Sequence, residues 1–161
     1  MNKFLAALCA LFIIVSGILW VKVNTLEVVI AEMNQPDLYE AMTMMQTIVH
    51  KLNYAIESEN SDLIDFYVHE LEEITEDIVD ADLYYHGEPV GELTASMLEP
   101  VIDELEDALD SSDWNRVRDR NQAIIQACNN CHVATGYDSI IITGQSESNP
   151  FNQDFSTPGR Q

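Results

Sequence analysis

The sequence predicts an all-α protein, an antiparallel four-helix bundle preceded by an apolar N-terminal helix and followed by an irregular tail. Apolar residues recur three and four positions apart in several segments, which is the spacing of the buried face of a helix. The short segments between these helices favour antiparallel neighbours. Apolar residues make up 47% of the 161 residues, enough for a core. Glycines and prolines are few, six and five, and nearly half of them lie after residue 135, which suits a helical body with an irregular tail.

The first element is the uncharged segment from Phe4 to Val21, which follows Lys3. Its eighteen residues suffice to span a membrane and are long for the apolar part of a secretory signal. No cleavage site of small residues follows, so we predict an uncleaved membrane anchor over residues 1–23, with a cleaved signal as the alternative. The positive Lys3 keeps the N-terminus in the cytoplasm. Residues 24–36 are predicted to be a stalk or linker.

The bundle is predicted to occupy residues 37–136, and Pro36 is suited to open its first helix. The apolar positions of the first helix are Leu38, Met42, Met45, Val49, Leu52 and Ile56. Asn60 or Ser61 is predicted to cap the second helix. The apolar positions of the second helix are Leu63, Phe66, Tyr67, Leu71, Ile74 and Ile78. A loop is predicted from Gly87 to Gly91.

The third and fourth helices complete the predicted bundle. The apolar positions of the third are Met97, Val101, Leu105 and Ala108. Pro100 allows two starts, one near Pro100 itself and one near Leu93 with a kink at the proline. The fourth helix is predicted from Trp114 to about Ala134, with the inward positions Val117, Asn121, Ile124, Cys128 and Cys131. Residues 137–161 are predicted to be an irregular tail that packs on the bundle.

The most informative motif is Cys128-Asn129-Asn130-Cys131-His132, a C-x-x-C-H sequence. This is the attachment sequence of a c-type haem. The two thiols form thioethers with the haem, and the imidazole of His132 becomes an axial ligand of the iron. Zinc and dithiol redox sites also use C-x-x-C. However, no second pair of cysteines or histidines stands at zinc-ligand spacing, and the preceding residues predict a helix.

The opposite face of the haem is predicted to meet the beginning of the first helix, because this lies beside the end of the fourth in an antiparallel bundle. Met42 and Met45 are on the inward stripe at that depth, whereas Met44 is rotated away by the helical step of about 100° per residue. A thioether from Met45 or Met42 is one candidate for the sixth ligand. An open distal face is the other, since methionine at helical spacing also fills cores.

The charge of the chain restricts its partners. Twenty-eight acidic residues against seven basic ones give a formal net charge of −21. Such a surface repels nucleic acid. It is suited either to a partner with a basic docking face or to general solvation. The basic cluster Arg116, Arg118 and Arg120 is predicted to pair with acidic residues of the third helix.

Several segments resemble the cytochrome c-prime-like family of exported four-helix-bundle cytochromes. The residues that carry the resemblance are 51–55, 60–73, 127–137 and 149–155. The similarity extends over roughly residues 40–155. It implies one covalent haem c, an exported location, and either electron transfer or the binding of small gases. It also makes a homo-oligomer a candidate assembly.

The sequence therefore predicts an exported mono-haem c-type cytochrome that carries single electrons. A gas-binding or sensing module with an open distal site is an alternative, and so is a structural haem protein in an oligomer. We predict no enzymatic activity, because no phosphate-binding loop, nucleophile elbow or pair of catalytic acids is evident. Covalent haem attachment takes place outside the bacterial cytoplasm. The predicted location is thus the inner membrane with the haem domain in the periplasm, or the soluble periplasm if the N-terminal segment is cleaved.

Overall fold

The structure, a computed structural model, describes residues 2–33, 36–144 and 148–156. Within the first helix, it describes the side chains of residues 8, 9 and 11–26. The chain divides into two compact units, Met1–Gln35 and Pro36–Gln161.

The first unit is one continuous helix, α1 (Asn2–Met33), so the predicted anchor and stalk share a single helix. Its described side chains are exposed, among them Phe12 and Ile13. Over the residues whose placement is described, no helix combines the length and the apolarity that crossing a membrane requires. The predicted anchor includes residues 4–7 and 10, whose side chains lie outside the described part, and it stays a prediction.

The second unit consists mainly of helices, which confirms the all-α prediction. They are α2 (Leu38–Glu57), α3 (Ser61–Asp80), α4 (Val90–Met97), α5 (Glu99–Asp110) and α6 (Trp114–Ala134). Two short antiparallel strands, β1 (Tyr84–Tyr85) and β2 (Glu88–Pro89), pair between α3 and α4.

Side-chain caps fix where the long helices begin. The Asp37 carboxylate accepts hydrogen bonds from the backbone N–H groups of Tyr39 and Glu40 at the start of α2. The side-chain oxygen of Asn60 accepts from the N–H of Leu63 at the start of α3, so Asn60 is the cap of that helix. Each cap supplies an acceptor to N–H groups that have no partner within the helix.

The region between α3 and α5 differs from the prediction. The loop predicted from Gly87 to Gly91 is wrong, because a hairpin occupies its first part and α4 begins at Val90. The hairpin turns at His86 and Gly87, both with positive φ (52° and 92°), as a tight two-residue turn requires. Gly91 lies in α4, and a Cβ there would come within 2.9 Å of the Leu83 nitrogen.

The predicted third helix is two helices that meet at Leu98. Pro100 occupies the second position of α5, where a missing N–H leaves no helical hydrogen bond unmade. The sequence allows two alternatives, a helix that begins near Pro100 and a longer helix with a kink there. In the structure one helix ends at Met97 and the next begins at Glu99, directly before the proline.

The helices of the second unit pack pairwise around one core. Helix α2 contacts α3 and α6, and α5 also contacts α3 and α6. Helices α2 and α6 run antiparallel, since Asn53 bonds to Asn121 and, further along α2, Glu59 just beyond its end bonds to Arg118. The largest fully buried side chains include Leu52, Ile56, Ile64, Leu71, Ile78, Ile102, Leu105 and Ile124.

Most predicted inward positions are buried, but Phe66 is not. Its side chain is 52% exposed, whereas that of the adjacent Tyr67 is 4% exposed. Neighbouring residues on a helix differ by about 100° in direction, so only one of this aromatic pair can face the core. The prediction that Phe66 lies on the inward stripe was wrong. The predicted pairing of the basic cluster with the third helix holds for Arg120, which bonds to Glu104 of α5.

Helix α6 ends in a turn that reverses the chain. The N–H of Gly136 donates to the Val133 carbonyl, and the N–H of Tyr137 donates to the His132 carbonyl at 2.7 Å. These two bonds form a Schellman motif, in which the left-handed position is occupied by Gly136 (φ 79°). The chain after α6 is therefore directed back along the helix that carries the C-x-x-C-H sequence.

The described part of the tail packs on α2 and α3. The rings of Tyr54 and Phe155 stack with centroids 5.2 Å apart, and Phe155 is buried. The side-chain amide of Gln153 donates to the Tyr67 hydroxyl at 2.6 Å. Residues 145–147 and 157–161 of the predicted tail lie outside the described residues.

We expect Gly136→Ala to lower the free energy of unfolding by about 1–2 kcal/mol, the cost of a left-handed conformation for a residue with a Cβ. A Cβ at Gly136 would meet no atom within 4 Å, so the effect would come from the backbone alone. Urea unfolding would measure it. The control is Gly144→Ala, where φ is not positive and the nearest atoms are at ordinary contact distance, 3.6 Å. Equal effects of the two substitutions would contradict the assignment.

Candidate functional site

A cavity of about 300 Å³ lies among α2, α4, α6 and the chain that follows α6. It brings together all five predicted site residues. Those from α6 are Cys128, Cys131 and His132, and those from α2 are Met42 and Met45. The antiparallel arrangement of α2 and α6 explains this, because it sets the beginning of α2 beside the end of α6.

The lining of this cavity is mainly apolar. Besides the sulfur-containing residues it includes Leu38, Val49, Val90, Leu98, Ala127, Ile140 and Ile142. Lysine, arginine, aspartate and glutamate are absent from the lining that the structure describes. Such a wall favours a large apolar group held at a few polar points. It offers no pair of carboxylates for acid–base chemistry.

The thiols of Cys128 and Cys131 are half-buried, and neither forms a disulfide. Burial, and secondarily the neighbouring Cys131, raises the pKa of the Cys128 thiol to about 11. Burial also raises the pKa of Cys131. Dithiol redox centres depend on the opposite shift, a lowered pKa that produces a reactive thiolate at neutral pH. The environment of these thiols therefore argues against a dithiol redox site.

We expect Cys128 in the haem-free chain to react slowly with iodoacetamide at pH 7.5, since only the thiolate is the nucleophile. A pKa of about 11 predicts a rate about two orders of magnitude below that of an unfolded thiol with the ordinary pKa near 8.5. The rate should rise with pH until about 11. Peptide mapping after alkylation, with and without urea, would measure it. Equal labelling in both states would contradict the raised pKa of Cys128, and faster labelling of the folded chain would favour a redox dithiol.

The imidazole of His132 has one nitrogen engaged. Its Nδ1 lies 2.8 Å from the carbonyl oxygen of Ile140. A carbonyl only accepts hydrogen bonds, so Nδ1 carries the proton in this contact and Nε2 keeps its lone pair. A backbone carbonyl bonded to the far nitrogen is the usual arrangement of a histidine that ligates a metal. His132 thus presents Nε2 as a potential ligand.

The methionines of α2 differ in exposure, as the step of about 100° per helical residue predicts. Met45 is 4% exposed and lines the cavity together with the half-buried Met42, whereas Met44 is 48% exposed. Met97, at the end of α4, also lines the cavity. The sequence assigned Met97 only to a core stripe, because nothing in its spacing indicated that α4 and α5 separate at Leu98.

Two tyrosines at the cavity were also missed. Tyr85 reaches it from the hairpin and Tyr137 from the turn after α6, with ring centroids 6.0 Å apart. Slight desolvation, and secondarily the neighbouring Tyr85, raises the pKa of Tyr137. The hairpin itself was not predicted, so its contribution to the cavity could not be read from the sequence.

A zinc site was the other alternative for the C-x-x-C pattern. Among the residues that the structure describes, no group of three or more His, Cys, Asp or Glu side chains could hold a metal ion. A structural zinc site has four such ligands, and a catalytic zinc site has three. Within that part of the chain, Cys128, Cys131 and His132 are therefore not arranged around one metal position.

Comparison with known proteins adds no family. No family model matches the chain, no curated protein is similar to it, and no solved structure is similar to it. The interpretation of the site therefore depends on its own residues.

Those residues fit a covalently attached haem. The two thiols, one turn of α6 apart, line the same apolar cavity as His132. The Ile140 carbonyl engages Nδ1 and leaves Nε2 for the iron. A thioether sulfur carries no charge. The raised pKa values keep the two thiols neutral and are therefore compatible with thioether bonds to a haem.

Proposed function

We propose that the protein is an exported mono-haem c-type cytochrome that carries single electrons. The observation that carries the proposal is the cavity in which both thiols of the C-x-x-C-H sequence accompany a histidine with an available Nε2. We propose no enzymatic activity, since the lining includes no arrangement of catalytic acids, bases or nucleophiles beyond the haem motif.

Each residue has a defined task in this proposal. Cys128 and Cys131 hold haem c through thioether bonds, and Nε2 of His132 ligates the iron. The bound haem supplies the one-electron chemistry. Met45 or Met42 is the proposed sixth ligand, supported by their shared place in the cavity lining. An apolar wall around the iron would exclude water, which would favour a higher reduction potential.

We infer that α2, α3, α5 and α6 form an antiparallel four-helix bundle, with α4 as a short addition. The contacts of α2 and α5 with both α3 and α6 support this arrangement. The bundle carries the site because it sets the C-terminal turns of α6 against the N-terminal turns of α2. A homo-oligomer remains a proposal from the family resemblance.

The proposed location is the bacterial inner membrane, with residues 1–23 as anchor and the haem unit in the periplasm. The uncharged segment from Phe4 to Val21 and the exposed apolar side chains of α1 support it. A soluble periplasmic form after cleavage is the alternative. The formal charge of −21 supports redox partners with a basic docking face, because opposite charge accelerates association. It also argues against nucleic acid.

Absorption spectra of the purified protein in the oxidised, reduced and CO-treated reduced states test the proposal. A low-spin reduced spectrum that CO does not change, with a thioether-to-iron charge-transfer band when oxidised, is the expected result. A high-spin spectrum that shifts with CO would instead indicate gas binding or sensing. Absence of covalent haem would overturn the proposal. Native mass would reveal the structural haem oligomer, the remaining alternative.

A further inference from the structure

Asn129, the first spacer residue of the C-x-x-C-H sequence, makes a two-way hydrogen-bond pair with the backbone of Ile142. Its Nδ2 donates to the Ile142 carbonyl at 2.9 Å, and its Oδ1 accepts from the Ile142 N–H at 2.7 Å. The side-chain amide thus pairs with both the N–H and the C=O of Ile142, as a residue of a neighbouring β-strand would. Both backbone groups of Ile142 are satisfied by this one side chain.

The paired residue lies two positions after the carbonyl that engages His132. Ile140 accepts from Nδ1 of His132, and Ile142 is held by Asn129. Ile140 and Ile141 are 48% and 70% exposed, so packing does little to fix this stretch of backbone. Ile142, in contrast, is 6% exposed. On the N-terminal side, the Ile140 N–H donates to the Tyr137 carbonyl at 2.9 Å. On the C-terminal side, Asn129 and the burial of Ile142 anchor the backbone and help keep the Ile140 carbonyl facing the imidazole.

We propose that Asn129 is a positioning residue for the axial ligand His132. It fixes the segment 140–142 against α6, and thereby holds the carbonyl that orients the imidazole and engages Nδ1. This inference depends on the proposed haem function. The hydrogen-bond pair joins Asn129, a spacer residue of the motif, to the tail. The type of residue at this position therefore matters, and not only the number of residues between the two cysteines.

The hydrogen bond to Nδ1 gives the imidazole more electron density at Nε2. A more basic axial ligand stabilises oxidised iron more than reduced iron, because oxidised iron carries the larger positive charge. Losing the carbonyl contact should therefore favour the reduced state. Groups that support a metal ligand in this way change metal affinity or activity by roughly 10–100-fold when removed.

The test compares Asn129→Ala with Asn130→Ala in the haem-loaded full chain. Asn130 is the adjacent, exposed spacer, so it controls for changes within the motif itself. We expect Asn129→Ala to shift the equilibrium toward the reduced state about tenfold, equal to ~59 mV for one electron. The Nδ1 proton of His132 should exchange faster with solvent, and so should the Ile142 amide proton. Asn130→Ala should leave all three unchanged.

If Asn129→Ala speeds exchange at Ile142 but leaves the potential and the exchange of the His132 Nδ1 proton unchanged, the proposal is overturned and the pair is merely structural. Equal shifts in both variants would also overturn it. Asn129→Gln provides a second variant if alanine prevents folding, since the longer amide is displaced by one methylene and should shift the potential in the same direction. Lack of covalent haem in the unmutated chain would instead contradict the proposed function.

Discussion

Replacing Cys128 and Cys131 together by alanine is expected to abolish covalent haem in the purified protein. The two sulfurs line the cavity from consecutive turns of α6, and thioether bonds to haem require both thiols of the C-x-x-C pair. His132 would remain able to bind iron, so some haem could associate and be removed by denaturation. Haem staining after denaturing electrophoresis would measure the loss, and intact mass would confirm that one haem is missing.

The matched control for this prediction is Cys9→Ala. Cys9 lies in α1, is exposed, and is outside the motif, so its replacement should leave the haem signal unchanged. Haem that survives denaturation in the double variant would contradict the assignment of the thioether residues. A loss of signal in the Cys9 variant would indicate that the N-terminal cysteine is needed for maturation.

That the five candidate site residues line one cavity could be predicted from sequence, because their spacing along two helices is enough to bring them together. The motif places Cys128 and Cys131 about one helical turn apart, with His132 directly after Cys131. The step of about 100° per residue turns Met44 away from the face of the helix that carries Met45. The antiparallel connection then brings the methionines and the motif to one end of the unit. These inferences need only the geometry of a helix and the length of the connections between helices.

The contacts around the site could not be predicted in the same way. The Ile140 carbonyl reaches His132, and the backbone of Ile142 reaches the Asn129 amide, only because Gly136 reverses the chain after α6. Tyr85 reaches the cavity because a two-residue turn closes the hairpin. Such contacts depend on backbone torsions at single residues, and the pattern of apolar positions carries no information about them. Within α3, the pattern of apolar positions also did not show which of the adjacent aromatic residues Phe66 and Tyr67 faces the core.

The second large effect is expected at the opposite end of the second unit, where Asn60 joins α3 to the tail. Its side chain is 3% exposed and makes three hydrogen bonds. Oδ1 accepts from the Leu63 N–H, while Nδ2 donates to the carbonyls of Phe155 at 3.1 Å and Ser156 at 3.0 Å. One residue therefore serves both as a helix cap and as an anchor for the tail.

We expect Asn60→Ala to lower the free energy of unfolding by about 2–4 kcal/mol. Loss of a cap costs roughly 1 kcal/mol, and a buried carbonyl left without a donor costs about 1–3 kcal/mol. Urea unfolding of the purified protein would measure the change. Because Phe155 stacks on Tyr54 of α2, the tail should also become more accessible to proteases in this variant.

Asp113→Ala separates the two contributions of Asn60. Asp113 caps α6 through the N–H groups of Asn115 and Arg116, but these bonds are exposed and involve no distant segment. Its replacement should cost only the cap, roughly 1 kcal/mol, and should leave the tail protected. If the two substitutions destabilise equally, the bonds from Asn60 to Phe155 and Ser156 add nothing to stability. The other contacts of the tail, among them the stacking of Phe155 on Tyr54 and the bond from Gln153 to Tyr67, then hold it in place.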